Sequence, residues 1–416
     1  MITRRGIGIG IVVVGIVLFG GRVVQKSFLT AASRLAPRMP IIRQGPHARH
    51  PFLQWVDMTS QQHGWALNRS DRLLVTWNGG HTWYRTPAVD VANGPSNAWN
   101  ATHIQGFYAL NKRDAWASTA GRKQAAIYHT STGGRTWTKL HAPGVGWVDF
   151  LTPHRGWLLT FEGVAMGNYP SHLYDTSDGG RQWHLVASTF SNNPNGGAHR
   201  DAQEHPIPST FKIGLTFQSV TRGWIAAEQP YYNGRIPSPL LYTTYNGGRS
   251  WSAMRLPREP GVGSPSGSSP EFFPPIGHKG LVWLSSSPFT LSSHLASTQQ
   301  MVWYRTTDGG KRWYRMGQIV RATVGGNGHS SKDVSFISAS DGWMLWSDPG
   351  QHLWHTVNGG HTWTTWAIRA PDHPEVRFTG INFITALRGW AISVRGQLWA
   401  TIDGGKIWTP AVAGNS

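Results

Sequence analysis

The sequence predicts an all-β protein, a seven-bladed β-propeller of four-stranded antiparallel blades behind an N-terminal transmembrane or signal-anchor helix. Three observations carry this. An eight-residue phrase, T-x-[D/N]-G-G-x-x-W, occurs seven times, with Thr132 in the Asx position of the second copy as its one departure. A second phrase, Gly-Trp followed by apolar residues, stands ahead of most copies: Gly64-Trp65, Gly156-Trp157, Gly223-Trp224, Gly342-Trp343 and Gly389-Trp390, with looser versions at Ala115-Trp116 and around Trp283. Ahead of most of these lies an alternating triplet, such as Val148-Asp149-Phe150, Val334-Ser335-Phe336 or Ile381-Asn382-Phe383. Each unit therefore reads strand, short turn, Gly-Trp strand, strand, Asx-Gly turn, strand, and radial repetition of such units makes a propeller.

The chain opens on Met1 to Leu29, where Arg4 and Arg5 precede a sixteen-residue uncharged run, Gly6 to Gly21, with Arg22 and Lys26 beyond it. A membrane span takes roughly 20 apolar residues, and Val23, Val24 and a snorkelling Arg22 extend this one. Residues 1–29 thus read as an uncleaved anchor, with a signal peptide cut near Thr30-Ala31-Ala32 as the rival. Residues 30–50, with Pro37, Pro40 and Pro46, read as a linker. The propeller occupies 51–412, and 413–416 form a tail. The first and last units both look complete, so no strand exchange is needed to close the ring, although residues 38–43 are placed to pair with the last blade's edge.

Within the propeller, the hairpin phrases start at Thr76, Thr130, Thr176, Thr244, Thr306, Thr356 and Thr401 and end at Trp83, Trp137, Trp183, Trp251, Trp313, Trp363 and Trp408. Asx-Gly between two β-prone runs marks a tight hairpin, because the turn needs positive φ. Blades are expected at about 52–85, 103–140, 146–186, 212–256, 276–316, 333–368 and 377–412. Insertions enter between blades (86–102, 187–211, 257–275, 321–332) or between the second and third strands (162–172, 228–239, 285–300). Successive turns of an up-and-down blade alternate between two faces. All the variable loops then open on one face and all the Asx-Gly turns on the other. Loops on a rigid scaffold carry binding, so the long-loop face is the expected binding surface.

Composition narrows the partners. The 416 residues include 38 Lys+Arg against 20 Asp+Glu, a net charge of +18, and 19 His. Such a surface suits anionic partners such as lipid headgroups, wall polymers or an acidic protein face; the rival account is adaptation to an acidic exterior. No helix-borne basic motif or recognition module points to nucleic acid. The absence of cysteine excludes disulfides and thiolate metal sites and is compatible with an exported bacterial protein.

The repeated phrase resembles the BNR or Asp-box repeat. Together with the preceding strand and Gly-Trp, it is similar to the seven-bladed propellers of the photosystem II stability and assembly factor family and their non-photosynthetic bacterial relatives. The resemblance covers about 50–412. It implies an accessory protein that binds a membrane-protein intermediate outside the cytoplasm, without enzymatic activity and without a cofactor. The long insertions between the third and fifth hairpin phrases depart from a compact family propeller, so the partner does not carry over with the fold. In Asp-box families the box is structural, and this role passes to Asn78, Asp178, Asn246, Asp308, Asn358 and Asp403.

The candidate chemistry is sparse. Asp-boxes also occur in sialidases and some endoglucanases. Gly234-Arg235-Ile236-Pro237 echoes the sialidase Arg-Ile-Pro phrase, yet it follows three boxes where sialidases place theirs ahead of the first. A glycosidase needs two carboxylates facing one sugar, and Glu162 and Glu228, each after a second strand in adjacent blades, are the best pair. His199, Asp201, Glu204 and His205 gather possible metal ligands within seven residues, but a solvated polar loop is the plainer account and no metal is expected. Aromatic and basic residues mix in the long loops at Trp99, His103, Tyr231, Tyr232 and Arg235, a set that suits protein interfaces or sugar stacking alike. Phe272 and Phe273 follow a Gly/Ser/Pro-rich stretch and form either an adhesive tip or a segment tucked onto the rim. Two functions follow: a membrane-anchored, extracytoplasmic binding or scaffold propeller docking a protein or anionic envelope component on its long-loop face, or a glycan-active enzyme or carbohydrate-binding propeller.

Overall fold

The computed structural model describes residues 41–43, 47–48, 51–70, 72–86, 106–120, 125–161, 171–189, 207, 211–228, 240–255, 271–276, 279–286, 297–308, 310–323, 334–346 and 351–411. These form seven antiparallel sheets, six of four strands and one of five, and no helix occurs among the described residues. The third sheet shows the plan, with strands Gly146–Phe150, Gly156–Phe161, Ser171–Thr176 and His184–Ser188 paired in chain order.

The hairpin phrase builds the same hydrogen-bonded knot in each sheet. In the third copy the Thr176 hydroxyl accepts the N–H groups of Asp178 and Gly180 and donates to Asp178 Oδ1 at 2.9 Å. Asp178 Oδ1 in turn accepts the N–H groups of Arg181 and Gln182. Both glycines of the turn lie at positive φ, 81° and 92° for Gly179 and Gly180, which is why the pair is Gly-Gly. The second copy keeps the geometry with Thr132, whose hydroxyl accepts the Thr136 N–H at 2.9 Å.

The Gly-Trp phrase joins neighbouring sheets. Its glycine pairs across the strand with the box threonine, as in Gly156 with Thr176 and Gly389 with Thr401. A Cβ on Gly156 would come within 2.4 Å of the Phe150 ring, so the small residue makes room for the aromatic of the preceding strand. The tryptophan then stacks on the corresponding aromatic of the next sheet: Trp116 on Phe150 and Trp157 on Phe217, each at 3.7 Å, and Trp343 on Phe383 at 4.1 Å. Its indole N–H donates to the first glycine carbonyl of the next box, Trp116 to Gly179 at 3.1 Å and Trp157 to Gly247 at 3.2 Å. In the fifth sheet the residue paired with Thr306 is Gly280. Leu281 therefore takes the tryptophan position, and Trp283 is not the looser copy of the phrase.

The ring closes by side-chain packing and single hydrogen bonds, without an exchanged strand among the described residues. Trp390 of the seventh sheet clusters with Met58 of the first and donates to Gly79 O, while the Met58 N–H reaches Asn382 Oδ1 at 2.9 Å. The first and last sheets each keep four strands of their own, as the sequence suggests. The linker differs from expectation. Ile41–Arg43 pairs with the outer strand Thr136–His141 of the second sheet, not with the last sheet. His47 then bridges to Tyr84 on the edge of the first sheet. The outer strand of the last sheet, Thr409–Pro410, has two residues and one of them lacks an N–H, so it makes a poor template. Thr136–His141 is a six-residue edge.

The fifth sheet also begins earlier than its expected start at 276. Its first strand is Glu271–Ile276, so Phe272 and Phe273 belong to a paired strand and not to a loop tip. The register shifts before Ile276, where Pro274 and Pro275 cannot donate.

Candidate binding surfaces

Four regions of the scaffold are candidates: the axis, a lateral groove and the two faces. The two faces separate as expected. In six sheets the box turn is bonded to the turn between the first and second strands, for instance Gly79 N–H to Gln62 O and Gly179 N–H to His154 O, so these turns share one face. The described strand ends that the connections of variable length join lie at the opposite ends of the strands.

Around the axis, the middle residue of each alternating triplet reaches the next sheet. Ser335 Oγ accepts the Phe383 N–H at 2.8 Å, Asn382 accepts the Met58 N–H, and the Asp149 carboxylate accepts the Phe217 N–H. Burial pushes the Asp149 carboxyl up to about 7, against the Phe217 N–H and the Tyr108 hydroxyl, which lower it. Burial likewise raises Asp57 to about 6, opposed by a bond from Asn382, and lowers the Lys212 ammonium to about 7. Burial, followed by the charge of Asp149, drives the Tyr108 phenol upward. A cavity of about 300 Å³ opens beside Asp57, Ser335 and Asn382. The alternating triplets mark these residues as strand positions, but not as partners of the neighbouring backbone.

A wider groove of about 800 Å³ lies between the third and fourth sheets, lined by Arg155, Asp175, Leu185, Val220, Tyr245 and Arg249. Arg155 pairs with Asp175 at 2.7 Å and lies over Trp157, and Arg222 lies over Trp224 and Tyr245.

The box-turn face carries a feature not anticipated from the phrase. In all seven copies the residue after Gly-Gly is basic and exposed: Arg135, Arg181, Arg249, Lys311 and Lys406, with His81 and His361. The signal sits in the repeat itself, at a position treated as variable. Exposed apolar side chains stand on the same face, Tyr245, Val357 and Ile402 at the second box position and Val220 and Leu387 on the first turns.

Of the residues expected on the long-loop face, Trp99, His103, Glu162, Tyr231, Tyr232 and Arg235 lie outside the described residues, as does the cluster His199, Asp201, Glu204 and His205. The backbone of Glu228 ends the second strand of the fourth sheet, Gly223–Glu228. It is the fifth residue after its Gly, the place of Phe161 in the third sheet, one residue before that of Glu162. The described part of this face holds exposed Phe52 and Val394, with Arg69 donating to Val394 O.

The box carboxylates have hydrogen-bond partners within their own turns. For Asp178, burial opposes the charge, but the Gln182 N–H, the Thr176 hydroxyl and the Arg181 N–H outweigh it and hold the carboxyl below its usual range. Asp308 and Asp403 are lowered in the same way.

No family model matches the sequence, and no curated protein does. Among solved structures, the chain is similar to YCF48 bound to D1 peptide, at 15% identity over 88% of this chain and 96% of that one, with a TM-score of 0.49. It is also similar to the GH74 xyloglucanase from Xanthomonas campestris, at 15% identity over 90% of this chain and 56% of that one, TM-score 0.52. A PL25 ulvan lyase bound to -[GlcA(1-4)Rha3S]- gives 8% identity over 87% and 97%, TM-score 0.51. At these identities the likeness is one of fold.

Proposed function

We propose that this chain is a membrane-anchored, extracytoplasmic binding propeller that docks a protein or an anionic envelope component on its long-loop face. The observation that carries this is the division of labour between the faces. Box turns are closed by the same internal hydrogen bonds, while the strand ends joined by the connections that vary in length lie on the opposite side. Exposed Phe52 and Val394 beside Arg69 give the described part of that side the mixed apolar and cationic character of an interface. The net charge of +18 favours an anionic partner, and the run Gly6 to Gly21 behind Arg4 and Arg5 supplies the anchor.

The test is in-cell crosslinking of the tagged full-length protein, followed by mass spectrometry. One or two recurrent membrane proteins crosslinked to loops 187–211 or 257–275 are expected. Capture of glycan or wall polymer with no recurrent protein would sink the scaffold reading. Glu162→Gln and Glu228→Gln would then decide between a glycosidase and a carbohydrate-binding propeller.

A further inference from the structure

Besides its architectural role, the box-turn face presents a regular array of charge. In each of the seven turns the box threonine hydroxyl accepts the N–H of the second glycine, so the residue after Gly-Gly follows the same fixed turn in every sheet. Five of the seven are Arg or Lys and two are His, all exposed. Lys112 and Arg113 add exposed cations on the first turn of the second sheet. The acids on this face are engaged: Asp178, Asp308 and Asp403 in their own turns, Asp341 with His355 at 2.8 Å, and Asp114 with Asn111 at 3.2 Å and with His129 at 3.7 Å.

Between these cations stand apolar side chains that a water-facing surface does not need. Val357 and Ile402 are 68% and 70% exposed, and Leu387 is 61% exposed. Val220 and Tyr245 lie beside Arg249 at the rim of the lateral groove. Cations at the same turn position of every sheet, interspersed with exposed aliphatic groups, match an anionic surface with an apolar layer beneath it. Polyanions without such a layer, nucleic acid or wall polymer, would leave the aliphatic groups in water.

We infer that the ring of box-turn cations, with Tyr245, Val357 and Ile402 among them, is a docking surface for an anionic lipid bilayer. The cations neutralise headgroup charge, and the aliphatic tips enter the boundary between headgroups and acyl chains. The long-loop face is then turned away from that bilayer. This inference stands apart from the identity of any client.

Because the chain has no cysteine, single probes report on one face at a time. The full-length protein carrying Val357→Cys, labelled with an environment-sensitive fluorophore, is placed in vesicles of phosphatidylcholine with and without phosphatidylglycerol. Lipid-borne nitroxides serve as the quencher. Quenching at position 357 that requires phosphatidylglycerol is expected, with a control probe at Val394→Cys unquenched. Five substitutions together, Arg135→Gln, Arg181→Gln, Arg249→Gln, Lys311→Gln and Lys406→Gln, are expected to lower the quenched fraction about tenfold or more, with an unchanged thermal melt. Quenching at 394 in place of 357, equal quenching without phosphatidylglycerol, or quenching that survives the five substitutions overturns the inference. Quenching at 394 would instead favour an anionic envelope component on the long-loop face, whereas the other outcomes leave the docking of a client there undecided.

Discussion

Two aspartates illustrate how burial and geometry decide a side chain's role. Asp178 lies in a turn where two backbone N–H groups and a hydroxyl point at one carboxylate oxygen, so its charge is favoured. Asp149, buried near the axis, holds the Phe217 N–H and the Tyr108 hydroxyl, but desolvation dominates and lifts it to about 7. Between its ordinary value near 3.8 and about 7, the folded state keeps a proton that the unfolded state has released. Stability therefore falls as pH rises through that window and levels off above it. Asp149→Asn keeps an acceptor for Phe217 and removes the charge. It is expected to gain about 1–3 kcal/mol at pH 8 and nothing at pH 4, read from urea unfolding at both. A loss at pH 8 would show that the charged form is the one the fold prefers. Only half of this was legible in the sequence: Val148-Asp149-Phe150 announces a strand, but an alternating pattern assigns its polar member to solvent and cannot show a neighbouring sheet's backbone.

At the scale of the element, the hairpin knot is a three-way arrangement around one hydroxyl. Thr176→Val leaves the buried Gly180 N–H and the Asp178 carboxylate without that partner, and about 1–3 kcal/mol of stability should be lost in equilibrium unfolding. The second copy offers the opposite experiment. Thr132→Asp would supply a charged acceptor for the Thr136 N–H, and a gain of about 0.5–1 kcal/mol is expected; a destabilised variant would mean that the hydroxyl already suits that turn better. Trp116→Phe keeps the stack on Phe150 but deprives the Gly179 carbonyl of its donor, for an expected loss of about 1–3 kcal/mol. These elements were readable because each residue type answers one local need: Gly-Gly the positive φ, Thr the hydroxyl, Trp the flat ring. Register was less readable where the residues changed. Leu281 replaces a tryptophan, so only the pairing of Gly280 with Thr306 identifies it. The pairing of Ile41–Arg43 with the second sheet depends on which edge is open, a property of the assembled ring and of no local stretch.

For the whole molecule, the axial groups combine into one pH profile. Asp57 and Asp149 lower stability as pH rises toward 6 and 7. Lys212 acts in the opposite sense: its folded value of about 7 lies below its ordinary 10.5, so between these the unfolded state binds more protons and stability climbs. Chemical unfolding followed from pH 4 to 9.5 is expected to show a shallow minimum near neutrality. A profile that rises steadily from pH 4 to 7 would mean that the buried acids do not control it. Architecture was legible at this scale because a period repeated seven times leaves few alternatives. The candidate site was not, since Trp99, Tyr231 and their neighbours stand in insertions that share no period with the scaffold.

Closure by packing, with four strands contributed by each terminal sheet, has a consequence for the chain's biosynthesis. A propeller sealed by an exchanged strand depends on where its ends fall; here Met58 meets Trp390 and Asn382 across side chains and single hydrogen bonds. The ends are therefore interchangeable in principle, and a circular permutant opened at any connection between sheets retains all seven hairpin knots. The native order imposes a delay, however. On the ribosome the first sheet is complete long before its neighbour across the seam is synthesised, so the nascent protein carries an open flank with Met58 uncovered until the final sheet emerges.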